Sequence, residues 1–208
     1  KDGKFLIVSN HPMGAADAIA LYHQIYPVRN DLFFFANELF VYLLGAFHEL
    51  LAPVVWNKEK ETHSANKVTL ERLSVFFGDD RPGIIFPSGR LSKLTFLGLW
   101  DRPWEKTPIA LAKKYNFPLI PVYVEGRNSW FFYFASYVNK QLRDISQLNE
   151  LFNKREKEMS IKIGKPVNVY TLNDNTDIAI GQMRYKSESL RKKSVLKLNR
   201  FLYLRNFK

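Results

Sequence analysis

The apolar positions of this chain fall into short unbroken runs, separated by stretches whose hydrophobic residues recur every three or four positions. Phe5-Leu6-Ile7-Val8, Asp31 to Ala36, Val54-Val55-Trp56, Ile84-Ile85-Phe86 and Leu119 to Val124 have the length and continuity of strands buried on both faces. Met159 to Pro166 reads as one more strand, half exposed. Between them lie helical patterns. Ala18 to Ile25 ends near Tyr26, because Pro27 discourages its continuation. Asn37 caps an almost wholly apolar helix, Glu38 to Leu51, that Pro53 stops. Leu70, Leu73 and Phe77 share one helix face, and Thr107 (N-cap) with Pro108 (first position) opens a helix from Ile109 to Tyr115. Strands alternating with helices predict an α/β fold: a single-domain, mixed, largely parallel sheet covered by helices on both faces.

Composition narrows the class. At 208 residues the chain is large enough for one domain that buries roughly 70% of its unfolded surface. With no Cys, disulfides, thiol nucleophiles and thiolate metal sites are excluded, and with four His in no paired spacing no metal site is expected. The net charge of +11 calls for a polyanionic partner: nucleic acid, an anionic membrane face or phosphorylated substrates. Much of it sits at the end, where Arg184 to Lys208 carries nine Lys or Arg against the single acid Glu188. Leu190, Val195, Leu196, Leu198, Phe201, Leu202 and Leu204 interleave there. A basic amphipathic membrane-contact segment and a solvated tail with a few apolar anchors both fit that pattern. The apolar runs Leu39–Phe47 and Trp130–Val138 are too short to span a bilayer and read as buried or interfacial. The chain opens on Lys1 without an initiator Met, so a preceding N-terminal segment is an open expectation.

Chemistry concentrates where the strands end. Ser9-Asn10-His11-Pro12-Met13-Gly14-Ala15-Ala16-Asp17 links the first strand to a helix, the setting in which α/β folds commonly hold reactive groups. An imidazole oriented by a carboxylate is a general base for a hydroxyl or thiol, although a loop histidine beside a surface aspartate has the same sequence. Two further exit turns carry cations: Phe86-Pro87-Ser88-Gly89-Arg90-Leu91-Ser92, and Glu125-Gly126-Arg127-Asn128-Ser129 after Pro121-Val122-Tyr123-Val124. Arg90 reads either as an anion contact or as an exposed loop charge. Arg127 reads as an anion contact or a structural hydrogen-bond donor.

In that order and spacing these blocks resemble the glycerolipid (lysophosphatidic acid-type) acyltransferase family. They are most similar to its bacterial branch of hemolysin-like or lyso-ornithine-lipid acyltransferases. Asp101-Arg102-Pro103-Trp104, Glu150 to Arg155 and Ile163-Gly164-Lys165-Pro166 look like the same branch, and the resemblance runs from Lys4 to Val167. It divides the chain into an acyltransferase domain, 1–171, and a basic C-terminal extension, 172–208. The pattern departs from the broad family in three ways. Five residues separate His11 from Asp17 where four are usual, a gap that Gly14 can absorb and that the bacterial branch shares. Ser88 stands where a Glu is usual, with Arg90-Leu91 in place of Thr-Arg. No second block with an Arg lies between Leu51 and Ser64.

The resemblance implies direct transfer of a fatty acyl group from acyl-CoA or acyl-carrier protein to a hydroxyl of a lyso-lipid or glycerol-phosphate-type acceptor. His11 would act as general base and Asp17 as its orienter, with Asn10, Gly14, Ser88, Gly89, Arg90, Arg127 and Asn128 binding substrate. The expected oxyanion donors are backbone N–H groups after Gly14 or around Gly89. His23, His48 and His63 have no assigned role. No metal and no cofactor beyond the donor thioester is expected. The expected location is cytoplasmic, peripheral on the inner face of a membrane, with an anionic membrane surface and not nucleic acid as partner. A non-catalytic lipid-binding relative, or less readily a basic nucleic-acid-binding domain, is the alternative.

Overall fold

The computed structural model describes residues 3–37, 45–54, 63–96, 98–154 and 159–191. Its strands are β1 (Leu6–Ser9), β2 (Phe33–Asn37), β3 (Leu51–Val54), β4 (Gly83–Ile85), β5 (Lys93–Thr95), β6 (Gly98–Trp100), β7 (Leu119–Glu125) and β8 (Ser160–Ile163). The α-helices are α1 (Ala15–Ile25), α2 (His63–Gly78), α3 (Thr107–Tyr115), α4 (Trp130–Val138), α5 (Lys140–Asn153) and α6 (Thr176–Glu188). Six strands make one sheet in the order β3-β2-β4-β1-β7-β8, parallel except for β8, which runs antiparallel to β7. β5 and β6 form a separate antiparallel hairpin.

Strand side chains alternate between the two faces of the sheet, and both faces are covered. Leu6, Val8, Phe33, Phe35, Ile85 and Leu119 face Leu73 and Phe77 of α2, Ile109 and Ala112 of α3, and Ala179 and Met183 of α6. Ile7, Phe34, Ile84, Val122 and Val124 face Ala16, Leu21 and Ile25 of α1, with Leu151 of α5 packed alongside. This is the mixed, mostly parallel α/β sandwich that the continuous apolar runs predict. The first residues after 171 contribute to it, since α6 buries Ala179, Ile180 and Met183.

Three local readings are corrected. Of the apolar helix expected from Glu38 to Leu51, residues 38–44 lie outside the described residues, Gly45–Leu50 form a 3₁₀ helix, and Leu51 already begins β3. Pro53 therefore does not stop a helix. It lies in an edge strand, paired in register with Ala36, where a missing N–H is tolerated. Of the strand expected over 54–56, Val54 is the last residue of β3 and residues 55–56 lie outside the described residues. The third helix starts one residue early: Lys106 is its N-cap, Thr107 its first residue, and Pro108 occupies the next position, whose N–H also lacks an intrahelical acceptor.

Candidate active site

β1 lies at the middle of the sheet, between β4 and β7, and the chain leaves its C-terminal end through residues 10–14 into α1. Gly14 makes that turn possible. Its φ of 83° lies in the region L side chains rarely adopt, and a Cβ there would come 3.1 Å from Leu91 Cδ2. Asp17, fully buried in the first turn of α1, sits at the positive end of the helix dipole. Its Oδ2 accepts the backbone N–H groups of Met13 (2.8 Å) and Gly14 (3.0 Å) and lies 3.0 Å from His11 Nδ1. A carboxylate oxygen can only accept, so Nδ1 is the donor and Nε2 carries the lone pair. The imidazole stacks on Phe86 at 4.1 Å between centroids, and the side chain remains 19% exposed, within reach of a ligand. His23 and His48 are exposed on other elements, and the side chain of His63 lies outside the described residues.

The backbone around His11 is fastened from several sides. Asn10 Nδ2 donates to Val124 O (2.9 Å) and its Oδ1 accepts from Val124 N (2.7 Å), so its amide stands in for a peptide group between β1 and β7. The carbonyl of His11 accepts from Ser92 N (2.8 Å), which brings the 86–92 loop to the same place. His11 N–H donates to Asp101 Oδ1 (3.4 Å), which also accepts from Ser92 Oγ (2.8 Å), while Asp101 Oδ2 accepts from Trp104 Nε1 (2.6 Å). Burial pushes the Asp101 carboxyl above its ordinary value, against the pull of those donors. Arg184 donates to Asp101 O (2.7 Å) and pairs with Glu188 (3.1 Å), so α6 braces this hub.

The other expected site residues divide into spent and open groups. Ser88 is buried and its hydroxyl donates to Arg90 O (2.8 Å), while Gly89 N closes the loop onto Phe86 O (2.9 Å). The amides of Gly14 and Gly89 are thus committed, leaving the first-turn amides of α1 at Ala15 and Ala16, which have no intrahelical acceptor. The Arg90 side chain is exposed on the loop that touches His11. Arg127 is exposed too, its guanidinium carbon 5.7 Å from the centre of the Trp130 ring. Asn128 is 3% exposed, and neither Oδ1 nor Nδ2 bonds to a described protein group. The neighbouring backbone lies against the His11 turn: a Cβ on Gly126 would fall 2.5 Å from the Met13 side chain.

Two residues of this region lie outside the expected set. Asp101 and Glu150 each open a block that resembles the family branch, but neither was assigned a role in the site. Glu150, on α5, accepts from Ser129 Oγ and from Ser129 N (2.9 Å) and pairs with Lys154 (2.9 Å), locking the start of α4 to α5. Burial alone would raise the Glu150 carboxyl, but the Ser129 and Lys154 donors outweigh it and hold it below its ordinary 4.5. Among the described residues no cluster of His, Asp and Glu is arranged to hold a metal ion.

Comparison with known proteins places the chain among acyltransferases. A family model described as "Acyltransferase" matches residues 1–202. The lyso-glycine lipid O-acyltransferase of Phocaeicola vulgatus is 30% identical over 174 residues, 80% of this chain and 60% of that protein. The protein of the same name from Bacteroides thetaiotaomicron is 31% identical over 80% of this chain and 62% of its own length. The chain therefore spans about six-tenths of these relatives. The crystal structure of PlsC, the 1-acyl-sn-glycerophosphate (LPA) acyltransferase from Thermotoga maritima, is similar in fold with a TM-score of 0.51. That likeness covers 91% of this chain and 66% of that one at 17% identity.

Proposed function

The chain belongs to the acyltransferase family, and from that premise we propose that it is an O-acyltransferase that moves a fatty acyl group from a thioester donor, acyl-CoA or acyl-carrier protein, to the hydroxyl of a lyso-lipid. The observation that carries the reading is the His11–Asp17 pair, 3.0 Å apart at a strand exit, with the imidazole reachable and the carboxylate fixed by two backbone amides. In this reaction His11 Nε2 takes the acceptor's hydroxyl proton as the oxygen attacks the thioester carbonyl. The tetrahedral intermediate collapses, the C–S bond breaks, and the thiolate leaves as a thiol with the proton from the imidazolium. Asp17 holds the tautomer and stabilises the cation that forms on the ring. No acyl-enzyme is needed. The free first-turn amides of α1 are the donors this helix offers to a developing oxyanion.

The names of the relatives favour an acceptor with an anionic headgroup: a glycine carboxylate in the two curated proteins, a phosphate in the structural neighbour. Arg90 and Arg127 are the exposed cations of the two loops bordering the base and would pair with either anion. Asn128, whose buried side-chain amide has no partner among the described residues, would supply a neutral polar contact beside the same turn. Asn10, Ser88 and Gly89 shape the site through the bonds they make within the protein. Such an acceptor resides in a membrane, and among the described residues no helix is long and apolar enough to cross one. The lyso-lipid acceptor puts the chain at a membrane surface, on the cytoplasmic face in this proposal, attracted in part by the cations of residues 184–208.

The test is acyl transfer from acyl-CoA and from acyl-carrier protein across a panel of lyso-lipids, with His11→Ala as control. Turnover on a lyso-lipid that the folded His11→Ala protein loses supports the assignment. Equal turnover by both proteins, or none by the wild type on any acceptor, refutes it.

A further inference from the structure

α4 turns most of its aromatic side chains away from the protein. Trp130, Phe131, Phe134, Tyr137 and Val138 are 68%, 63%, 69%, 95% and 59% exposed. At 100° per residue these five positions span an arc of about 120°, one continuous stripe. Phe132 and Ala135 are the residues that α4 buries. Asn139 ends α4 and caps α5 by accepting from Gln141 N (2.7 Å), and the exposed apolar surface continues on α5 in Leu142, Ile145 and Phe152. The hairpin is rigidly held where it starts, by Ser129, Glu150 and Lys154, so the stripe is a fixed feature of the fold.

We propose that the outer face of the α4–α5 hairpin docks the protein on an anionic lipid surface. The rings and the cations beside them favour this occupant. From Gly126 to Phe152 the sequence carries Arg127, Lys140 and Arg143 against Asp144 and Glu150, and Glu150 is buried and paired with Lys154. Arg127 lies against the Trp130 ring at one end of the stripe, a cation and an amphipathic ring side by side. Trp and Tyr favour the headgroup level of a bilayer, and an apolar helix face rimmed by cations lies in the interfacial plane. The opposite side of the hairpin packs toward the His11 turn: a Cβ on Gly14 would lie 3.9 Å from Gln147 Oε1 of α5, about half a turn around the helix from Leu142, Ile145 and Phe152. Docking through this hairpin would hold that turn about one helix diameter, roughly 10 Å, from the lipid surface. The inference rests on the lyso-lipid reading for its choice of occupant, and vesicle binding can be read without turnover.

The experiment is co-sedimentation with vesicles of equal parts phosphatidylcholine and phosphatidylglycerol, at low and high salt. It compares the wild type, His11→Ala, and a triple variant carrying Phe131→Ser, Phe134→Ser and Tyr137→Ser. The wild type and His11→Ala should bind alike, and the triple variant should lose more than tenfold in partitioning at both salt concentrations. Quenching of wild-type fluorescence by lipids brominated on their acyl chains, diminished in Trp130→Phe, is a second readout that needs no multiple substitution. Wild-type protein that ignores vesicles, or a triple variant that binds them as the wild type does, overturns the proposal. So does a wild-type dimer in gel filtration that the triple variant converts to monomer, since the face would then belong to a second copy. Turnover lost in His11→Ala with vesicle binding kept separates failure of the catalytic reading from failure of this one.

Discussion

Asp17→Asn is the sharpest probe of the proposed base. Three donors converge on one oxygen, Oδ2: His11 Nδ1 at 3.0 Å and the amides of Met13 and Gly14 at 2.8 and 3.0 Å. An asparagine that turns its carbonyl oxygen into that position keeps all three acceptor contacts, removes the charge, and places its NH2 where the buried Oδ1 has no partner among the described residues. Hydrogen bonds to charged groups contribute about 1.5–3 kcal/mol and neutral ones about 0.5–1.5, so the substitution should cost on the order of 3 kcal/mol of stability. Asp17→Ala would instead strand the buried Met13 and Gly14 amides at about 1–3 kcal/mol each and lose the turn with the base, which confounds the two effects. Turnover should fall further than stability. The imidazolium exists only during transfer, so kcat should drop about 10²–10⁴-fold with little change in KM. Urea unfolding reports the first quantity. Release of the donor's thiol, followed with a chromogenic thiol reagent, reports the second, and a chain with no Cys adds no background of its own. A folded Asp17→Asn protein with wild-type kcat would sink the His11–Asp17 mechanism.

Two further expectations follow from groups around the turn. Arg90→Ala should raise KM about tenfold for an anionic lyso-lipid, roughly 1.4 kcal/mol, and spare an uncharged acceptor; equal losses for both would make Arg90 structural. Glu150 is held below its ordinary 4.5, so it contributes stability that is fully present above pH 4.5 and is lost as pH falls through its lower folded value. Thermal melts on the acid side should therefore show a decline that Glu150→Gln flattens, and an unchanged acid limb in that variant would remove Glu150 from the account.

The sheet was legible because its strands are apolar on both sides: Leu6 and Val8 enter one core while Ile7 enters the other, so no polar position interrupts the run. The His11 turn was legible as a strand exit carrying a His and an Asp. Pro53 misled because a proline reads as a helix stop from sequence, while the edge position that accommodates it in β3 is a property of the whole sheet. The bonds that Asn10 and Asp101 make escaped for a different reason. Their partners Val124 and His11 lie 114 and 90 residues away, and no local pattern encodes such pairings. The outward face of α4 was hidden by its own uniformity. In Trp-Phe-Phe-Tyr-Phe-Ala-Ser-Tyr-Val only Ser136 breaks the apolar run, so periodicity gives no direction and tertiary packing alone decides which rings meet solvent.

The Ser92 amide bonded to the carbonyl of His11 has a bearing on how such a protein can diversify. The loop that carries Arg90 is the one that fastens the backbone of His11. On the proposed reading, lengthening or shortening it would displace the base along with Arg90, so a change of acceptor by insertion would cost the reaction, whereas a side-chain change at fixed loop length, as at Arg90, would leave the base in place.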